Sequence, residues 1–254
     1  MRRVTRVWGI GVILALMVLW EVLVRWLELP PWLLPGPVRI MGAGRDTAEL
    51  LVWHTLHTLK AAALGTALAV GGGLVFGVLI HTLPVLRFNL YPLLVASQTV
   101  PTLVVAPLLT LWFGYGILPK VLLVGLACFF PVTVGVIDGL EAADQELVAL
   151  ARTMGASPAR LFWKIRWPSS LPSLFTGLRV AITYSIIATV VAEWMGADAG
   201  LGVYLTRASH SYLTDRVFAA IVVISALSLL LFWAVNRLAA MAIPWYSKNN
   251  HESK

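Results

Sequence analysis

The chain has 254 residues, of which 59% are hydrophobic and only 12% are charged. With a mean hydropathy of +0.84 and eleven Trp residues, this composition excludes an ordinary soluble domain. The net charge of +7 would suggest a nucleic-acid partner in a soluble protein, but membrane proteins concentrate Lys and Arg beside their spans on the cytoplasmic side. We therefore expect a polytopic membrane protein with no nucleic-acid partner.

The chain contains six apolar runs that carry few charges. Each is about 20 residues long, which is enough to cross a bilayer core. They cover residues 7–24, 61–80, 90–113, 121–137, 171–192 and 217–236. The sequence therefore predicts an all-α membrane protein with six transmembrane helices. No small-residue cleavage site follows the first run, which favours an uncleaved anchor helix over a signal peptide.

Three features inside these runs favour local structural roles. Glu21 is expected to pair with Arg25, one helical turn further along the chain. The single cysteine, Cys128, is expected to be a small packing residue. The glycines at 71–73 and 77 suit close packing between helices.

The distribution of basic residues predicts the orientation in the membrane. With the N-terminus in the cytoplasm, twelve of the nineteen Lys and Arg residues lie on the cytoplasmic side, so we expect both termini there. The chain then divides into an anchor helix with an external loop (1–55), a core of five helices (56–240) and a cytoplasmic tail (241–254). Within the core, residues 138–172 form a cytoplasmic loop.

The cytoplasmic loop carries a pattern of two short helices. An apolar face at helical spacing ends at Gly155, a residue suited to the C-terminus of a helix; its members are Leu147, Leu150, Ala151 and Met154. Ser157 and Pro158 then start a second amphipathic helix, which we expect to end at Pro168 and Pro172. From the residues alone, this hairpin either rests on anionic lipid or docks a cytoplasmic partner.

The loop also resembles a known family. The segment "ARTMGASPARLFWKIRWPSSLP" is similar to the cytoplasmic loop of ABC importer permeases, the inner-membrane components of binding-protein-dependent transport systems. The resemblance extends through "LLTLWFGYGILPK", "FFPVTVGVIDGL" and "GADAGLGVYLTRA". It implies a type I ABC importer permease fold, also described as MetI-like, in the cytoplasmic (inner) membrane of a bacterium.

The resemblance assigns the first helix of the loop a role. In that family it is the coupling helix, which sits in a groove of the ATP-binding subunit. Carried over, this role falls on Ala149, Leu150, Ala151, Arg152, Thr153, Met154, Gly155, Ala156 and Ser157. The chain departs from the family at the start of the motif, because Ala149 stands where the family often has Glu.

The resemblance also implies partners. The sequence contains no Gly-Lys pair, so it lacks a glycine-rich phosphate loop ending in Lys-Ser/Thr. We therefore expect a permease that is not an enzyme and binds no cofactor, with ATP on a separate ATPase subunit. The expected assembly contains two ATPase copies, a second copy of this chain, and a periplasmic or lipoprotein solute-binding protein, all surrounded by membrane lipid.

Polar residues within the spans are candidates for the transport pathway because they are costly against lipid. One cluster precedes Pro101 in the third span, and others lie along the fifth span, which lines the pathway in the family. The candidates are Ser97, Gln98, Thr99, Tyr184, Ser185 and Glu193. The alternatives are that Gln98 ties two helices together, that the hydroxyl residues pack, and that Glu193 meets a gate partner or water.

The resemblance narrows the solute to a group of compounds. The chain resembles the branch of permeases for nitrate, sulfonates, taurine and pyrimidine precursors of thiamine, and "SQTVPTLVVAPLLTLWFGYGILPK" is most similar to hydroxymethylpyrimidine-type members. No Lys or Arg lies within the middle spans to meet an anion, which favours a neutral or aromatic solute. The alternatives are a sulfonate, taurine, nitrate or riboflavin-type solute and, in another class, a channel or secondary transporter component.

Overall fold

The computed structural model describes residues 2–245, with side chains from residue 11 to residue 245. Within that part the chain forms eleven α-helices and one short π-helical segment, and no strand. The helices are α1 (Arg2–Trp26), α2 (Pro37–Asp46), α3 (Ala48–Thr82), α4 (Pro84–Ser97), α5 (Thr102–Phe113), α6 (Ile117–Glu141), α7 (Gln145–Thr153), α8 (Pro158–Leu161), α9 (Trp167–Trp194), α10 (Leu201–His210) and α11 (Thr214–Ala242). The π-helical segment, Phe162–Arg166, joins α8 to α9.

Four stretches of the described chain are long and apolar enough to cross a membrane: α3, α6, the continuous helix Pro158–Trp194, and α11. The pair α4 and α5 is a fifth span if the two count as one. The first predicted span, 7–24, corresponds to α1, a helix of 25 residues. Part of that span lies outside the residues whose side chains are described.

The third predicted span, 90–113, is broken into two helices rather than continuous. It consists of α4 and α5, which meet at an angle of 97°. The α-helical hydrogen-bond pattern stops after α4, because the backbone N–H groups of Gln98 and Thr99 donate to carbonyls three residues earlier rather than four. The acceptors are Val95 O (3.1 Å) and Ala96 O (3.0 Å). Pro101 has no N–H to continue the ladder and stands as the N-cap of α5. The chain thus changes direction completely at Pro101.

The core forms around α6, which packs along its length against α3 and α9. Side chains at intervals of four residues on α6 are fully buried there: Val124, Cys128, Val132, Val136 and Leu140. The Cys128 thiol donates to Ala181 O at 3.1 Å, which confirms its place as a packing residue. The ion pair between Glu21 and Arg25 is also confirmed, at 2.7 Å.

Glycine lets α3 approach α6 closely. A Cβ built on Gly73 would lie 2.7 Å from Val132 Cγ1, and one on Gly77 would lie 2.7 Å from Val136 Cβ. Gly71 is different, because nothing lies within 4 Å of its Cβ position. Close packing is therefore confirmed for Gly73 and Gly77, whereas Gly71 faces open space.

Helix α3 begins earlier than the predicted span 61–80. It runs for 35 residues, or about 52 Å at 1.5 Å per residue, and a hydrocarbon core is only about 30 Å thick. The extra turns lie before the apolar run, and they carry His54 and Thr58. The predicted division of the chain between residues 55 and 56 falls inside this helix.

Candidate transport pathway and coupling loop

The loop after α6 folds as the predicted helix, tight turn and helix. Helix α7 starts at the Asp144 cap, whose Oδ1 accepts hydrogen bonds from Glu146 N (2.8 Å) and Leu147 N (3.3 Å). At its C-terminus, Gly155 has φ +82°, a region that favours glycine. The helix therefore ends where the sequence predicted.

The turn at Gly155 is a Schellman motif. Its N–H donates to Arg152 O at 2.9 Å, and the Ala156 N–H reaches back to Ala151 O at 3.0 Å. These bonds satisfy two of the last carbonyls of α7 and require the left-handed conformation at Gly155. The direction in which the chain leaves α7 is therefore set by one glycine.

Helix α7 leaves its apolar residues uncovered. Leu147 and Leu150 are 48% and 57% exposed, and Met154 is 80% exposed. The buried residue of this helix is a different one, Val148. An exposed apolar face beside basic residues fits either a protein partner or a lipid surface.

The second loop helix does not end at Pro168 and Pro172, so that expectation was wrong. Ser157 caps α8 as predicted, its Oγ accepting from Arg160 N at 3.3 Å. The chain then continues through the π-helical segment Phe162–Arg166 into α9, giving one helix of 37 residues, Pro158–Trp194. The wider π turn accommodates the missing N–H of Pro168, the second residue of α9. The coupling loop is thus joined to the fifth span without a break.

A cavity of about 450 Å³ lies where α4 and α5 meet, against α6 and α9. Its polar lining comes from Ser97, Gln98, Thr102 and Tyr184. The remainder is apolar and includes Leu123 and Ile187. The structure therefore brings three of the predicted pathway residues, Ser97, Gln98 and Tyr184, to one cavity.

The polar groups of this cavity are available to a ligand. Within residues 11–245, neither the Gln98 amide nor the Tyr184 hydroxyl hydrogen-bonds to another group, whereas Ser97 Oγ donates to Leu94 O at 2.7 Å. The N-terminus of α5 also borders the cavity, and no side chain caps it. Its free N–H groups carry partial positive charge and favour an acceptor atom.

The other predicted pathway residues lie elsewhere. Thr99 Oγ1 donates to Ala96 O at 2.8 Å and lies outside the cavity lining. Ser185 is buried and donates to Ile182 O at 2.8 Å. Thr102 lines the cavity but was not predicted; its place directly after Pro101, at the break in the helix, was the available signal.

Glu193, at the end of α9, is 1% exposed and meets other parts of the protein rather than water. Its Oε2 accepts a hydrogen bond from Gly202 N (2.8 Å), and its Oε1 accepts one from Thr58 Oγ1 (2.8 Å). The same Thr58 oxygen accepts from Leu201 N at 2.8 Å. Glu193 and Thr58 therefore cap the N-terminus of α10 and tie it to α9 and α3.

Further contacts strengthen this junction, which we name the α10 network: Thr58, Glu193, His54 and the first N–H groups of α10. His54 Nδ1 accepts from Gly200 N at 3.0 Å, and its ring packs edge-on against Tyr204. A carboxylate near the start of a helix also interacts favourably with the helix dipole. The buried polar groups of the junction are thus satisfied by one another.

Removing the Glu193 carboxylate is expected to impair transport. Glu193→Ala leaves the Gly202 N–H buried without a partner, at a cost of about 1–3 kcal/mol, and should free α10 from α9. Glu193→Gln is the matched control, because its amide can accept from Gly202 N and donate to Thr58 Oγ1. We expect uptake by Glu193→Ala to fall severalfold while Glu193→Gln stays near the parent; equal uptake by all three would contradict a positioning role.

Histidine spacing in "HTLH" is only a weak indication of a metal site, and the structure uses these rings otherwise. His54 belongs to the α10 network, and His57 Nδ1 lies 2.9 Å from Trp53 O. In the described residues, no three His, Cys, Asp or Glu side chains group as metal ligands would.

The fold defines a class: a helical membrane protein in which the loop after α6 continues without a break into a helix long enough to span the bilayer. The chain belongs to the family of binding-protein-dependent transport system inner membrane components, which matches residues 69–241. It is the permease component of an ABC importer, not a channel or a secondary transporter, and ATP hydrolysis belongs to a separate subunit. An ATPase, a solute-binding protein and dimerisation of permease subunits accompany membership in this family.

Individual relatives agree with this assignment. The chain is 39% identical over 236 residues to the formylaminopyrimidine transport permease protein of Halalkalibacterium halodurans, covering 92% of this chain and 94% of that protein. It is 29% identical to the taurine transport system permease protein of Escherichia coli, covering 94% and 90%. Among solved structures, an inward-facing methionine ABC transporter has the same fold, with a TM-score of 0.67, 19% identity, and coverage of 78% of this chain and 98% of that chain. The expected MetI-like fold is confirmed.

Proposed function

We propose that this permease moves a pyrimidine precursor of thiamine, such as formylaminopyrimidine or a hydroxymethylpyrimidine, into the cytoplasm. The observation that carries the proposal is the 39% identity with the formylaminopyrimidine permease along nearly the whole of both chains. The taurine permease is similar over as much of the chain but at 29% identity. The solute is delivered by an external binding protein, which shares in its selection.

The cavity at the α4–α5 break supports a small planar solute. Tyr184 offers an aromatic ring 52% exposed, and the faces of a pyrimidine ring stack on such a surface. The Gln98 amide has both a donor and an acceptor, which complements the alternating ring nitrogen and amino groups of an aminopyrimidine. No Lys or Arg lines the cavity, so a sulfonate or nitrate would find no cationic side chain there.

The assembly we propose is a homodimer of this chain with two ATPase subunits, inserted with both termini in the cytoplasm. ATP binds to the ATPases, and this chain binds no cofactor. The exposed residues of α7 between Ala149 and Ser157 then face the ATPase. This placement is supported by the uncovered apolar side chains Leu147, Leu150 and Met154.

The continuous helix Pro158–Trp194 suggests how movement of the ATPase during ATP hydrolysis is transmitted to the cavity. A shift of α7 on the ATPase pulls on the turn at Gly155 and so on the start of this helix. The same helix carries Tyr184 in the cavity and Glu193 at the α10 network. One rigid element therefore links the loop, the cavity wall and α10, which is the kind of element that rigid-body switching uses.

Uptake of labelled formylaminopyrimidine tests the proposal. The chain is expressed with the ATPase and binding protein of its source organism in a bacterium that lacks its own system, and labelled taurine serves as the competing solute. We expect pyrimidine uptake that depends on all three components. Uptake of taurine without uptake of the pyrimidine would contradict the proposed solute and identify a sulfonate permease instead.

Gln98→Leu tests the cavity itself in the same assay. The substitution keeps the volume of the side chain but removes its donor and acceptor, so pyrimidine uptake should fall about tenfold, as expected when a polar group of a bound solute loses its partner. Co-purification with the ATPase should be unchanged, because Gln98 lines the cavity at the α4–α5 break and is not part of α7. Thr99→Val is the matched control: it removes a neighbouring hydroxyl that lies outside the cavity lining. Equal uptake by both variants and the parent would return Gln98 to a structural role.

A further inference from the structure

A second cavity, of about 420 Å³, lies between the C-terminus of α3 and the loop that follows α6. It is lined by His81 and Thr82 from α3, Arg152 from α7, and Arg166 from the π-helical segment, with Leu161 and Phe162 on its apolar side. Arg152 and Ala156 also belong to the segment proposed to face the ATPase, but no function described above uses the cavity itself. We name it the loop cavity.

The polar groups of the loop cavity are almost all hydrogen-bond donors. Arg152 and Arg166 carry positive charge and can only donate. Within residues 11–245 neither forms an ion pair with a carboxylate, since the three ion pairs there join Arg25, Arg39 and Arg87 to acidic residues. The hydroxyl of Thr82 is already committed to Val78 O at 2.8 Å.

The histidine contacts one of the two arginines. Arg166 Nη1 lies 2.8 Å from His81 Nε2, and because a guanidinium only donates, Nε2 is the acceptor. The neutral ring then carries its proton on Nδ1. That Nδ1 is buried and has no hydrogen-bond partner among the described residues. Because that atom is closed off from the cavity, the His81 ring affects a ligand there only through Arg166, whose guanidinium group it orients.

The nearest acidic side chain does not neutralise the cavity. Glu141, at the end of α6, has its Oε1 2.8 Å from Arg87 Nη2. The positive charge of Arg87 thus offsets the negative charge of Glu141. The positive charges of Arg152 and Arg166 are left without a carboxylate partner among the described residues.

We propose that the loop cavity binds a phosphate-bearing anion, held by the guanidinium groups of Arg152 and Arg166. Guanidinium groups bind phosphate oxygens through paired, charge-assisted hydrogen bonds. Two sources of this chemistry reach the site: the headgroup of an anionic lipid, because the cavity lies where α3 leaves its apolar stretch, and free phosphate. The volume accommodates a phosphate that carries an organic group, and Leu161 and Phe162 provide apolar surface beside it.

This anion would join α7 to α3, two helices that have few contacts with each other. It would hold Arg152 of the coupling helix α7 against the end of α3 and the start of the continuous helix Pro158–Trp194. The binding site is independent of the solute proposed above and can be tested without the ATPase. Its occupancy would set how firmly α7 is held before the ATPase moves it.

Binding of two probes to the purified full-length chain in a neutral detergent tests the proposal. The probes are a short-chain phosphatidylglycerol and inorganic phosphate, and native mass spectrometry or a fluorescence titration gives their affinities. Arg166→Gln and Arg152→Gln should each weaken binding about tenfold or more, as expected for loss of a charge-assisted hydrogen bond. Arg160→Gln is the matched control, because Arg160 is an exposed arginine of the same loop that does not line the cavity.

The outcomes separate the sources and the alternatives. Binding of both probes with the same sensitivity to Arg166 supports a site for phosphate itself, and binding of phosphatidylglycerol alone supports a lipid headgroup. Arg166→Gln also removes a contact with His81, so Arg152→Gln, on an exposed side chain, decides the case if Arg166→Gln does not fold. Equal weakening by Arg160→Gln would show diffuse surface attraction and overturn the proposal, as would the absence of binding of either probe to the parent chain.

Discussion

Gly155→Val is expected to abolish coupled transport while leaving the membrane-spanning core intact. A β-branched residue held at φ +82° costs on the order of 1–3 kcal/mol, so the Schellman turn after α7 would open. The effect comes from the backbone alone, because nothing lies within 4 Å of the Cβ position at Gly155. A cost of this size lowers the population of the turn by about 5- to 150-fold, and α7 would no longer be presented to the ATPase in one orientation.

Two measurements check this expectation: co-purification of the ATPase with the permease, and ATP hydrolysis stimulated by solute and binding protein. Gly155→Asn is the matched control, because Asn adopts the left-handed conformation more readily and has room here. Leu150→Glu tests the same surface without a backbone effect, by placing a charge on the exposed apolar face of α7. If Gly155→Val and Leu150→Glu both retain the ATPase and transport normally, α7 is not the coupling helix, and a helix resting on the lipid surface becomes the better interpretation.

Gly73→Ala is expected to lower the stability of the helix core, whereas Gly71→Ala, two residues away on the same helix, is not. A methyl group at position 73 would lie 2.7 Å from Val132 Cγ1 and 3.2 Å from Thr133 Oγ1, so α3 or α6 must move. Overpacking of this kind typically costs about 1–3 kcal/mol. At Gly71 the methyl meets nothing within 4 Å, and the gain in helix propensity of up to about 1 kcal/mol remains.

Thermal unfolding in detergent, followed by tryptophan fluorescence, measures the difference. Both substitutions add the same group to the same helix, so the comparison isolates packing against α6. Val132→Ala in the Gly73→Ala background should recover part of the loss, as a coupled pair does in a double-mutant cycle. Equal unfolding temperatures for Gly71→Ala and Gly73→Ala would show that the approach of α3 to α6 is looser than the structure indicates.

The comparison of these two glycines shows where sequence reasoning ends. The run at 71–73 and the glycine at 77 predicted close helix packing, but the pattern does not say which glycine faces the neighbouring helix. Only the rotation of α3 about its axis decides that Gly73 meets Val132 while Gly71 faces outward. The same rotation places His54 and Thr58 toward α10, although nothing near them in the sequence indicates a partner more than a hundred residues away.

The cavity shows a similar division. The sequence predicted a polar cluster interrupted by Pro101, because proline breaks the hydrogen-bond ladder of any helix. The 97° angle between α4 and α5, and the approach of Tyr184 from α9, depend on contacts with α6. Thr99 and Ser185 were indistinguishable from Ser97 by composition. All three hydroxyl groups donate to a carbonyl three residues earlier in the chain, yet only Ser97 lines the cavity.

By itself, the sequence determined the properties that depend on local chemistry: apolar runs long enough for spans, the turn at Gly155, the Ser157 cap, and the family to which its motifs belong. These follow from hydropathy, allowed backbone conformations and hydrogen bonds between near neighbours. The tertiary structure alone decided that the loop continues into α9 despite Pro168 and Pro172, that Glu193 caps α10, and that Arg152, Arg166 and His81 surround one cavity. Those features arise from groups far apart in the chain, whose meeting depends on how the helices are rotated and packed.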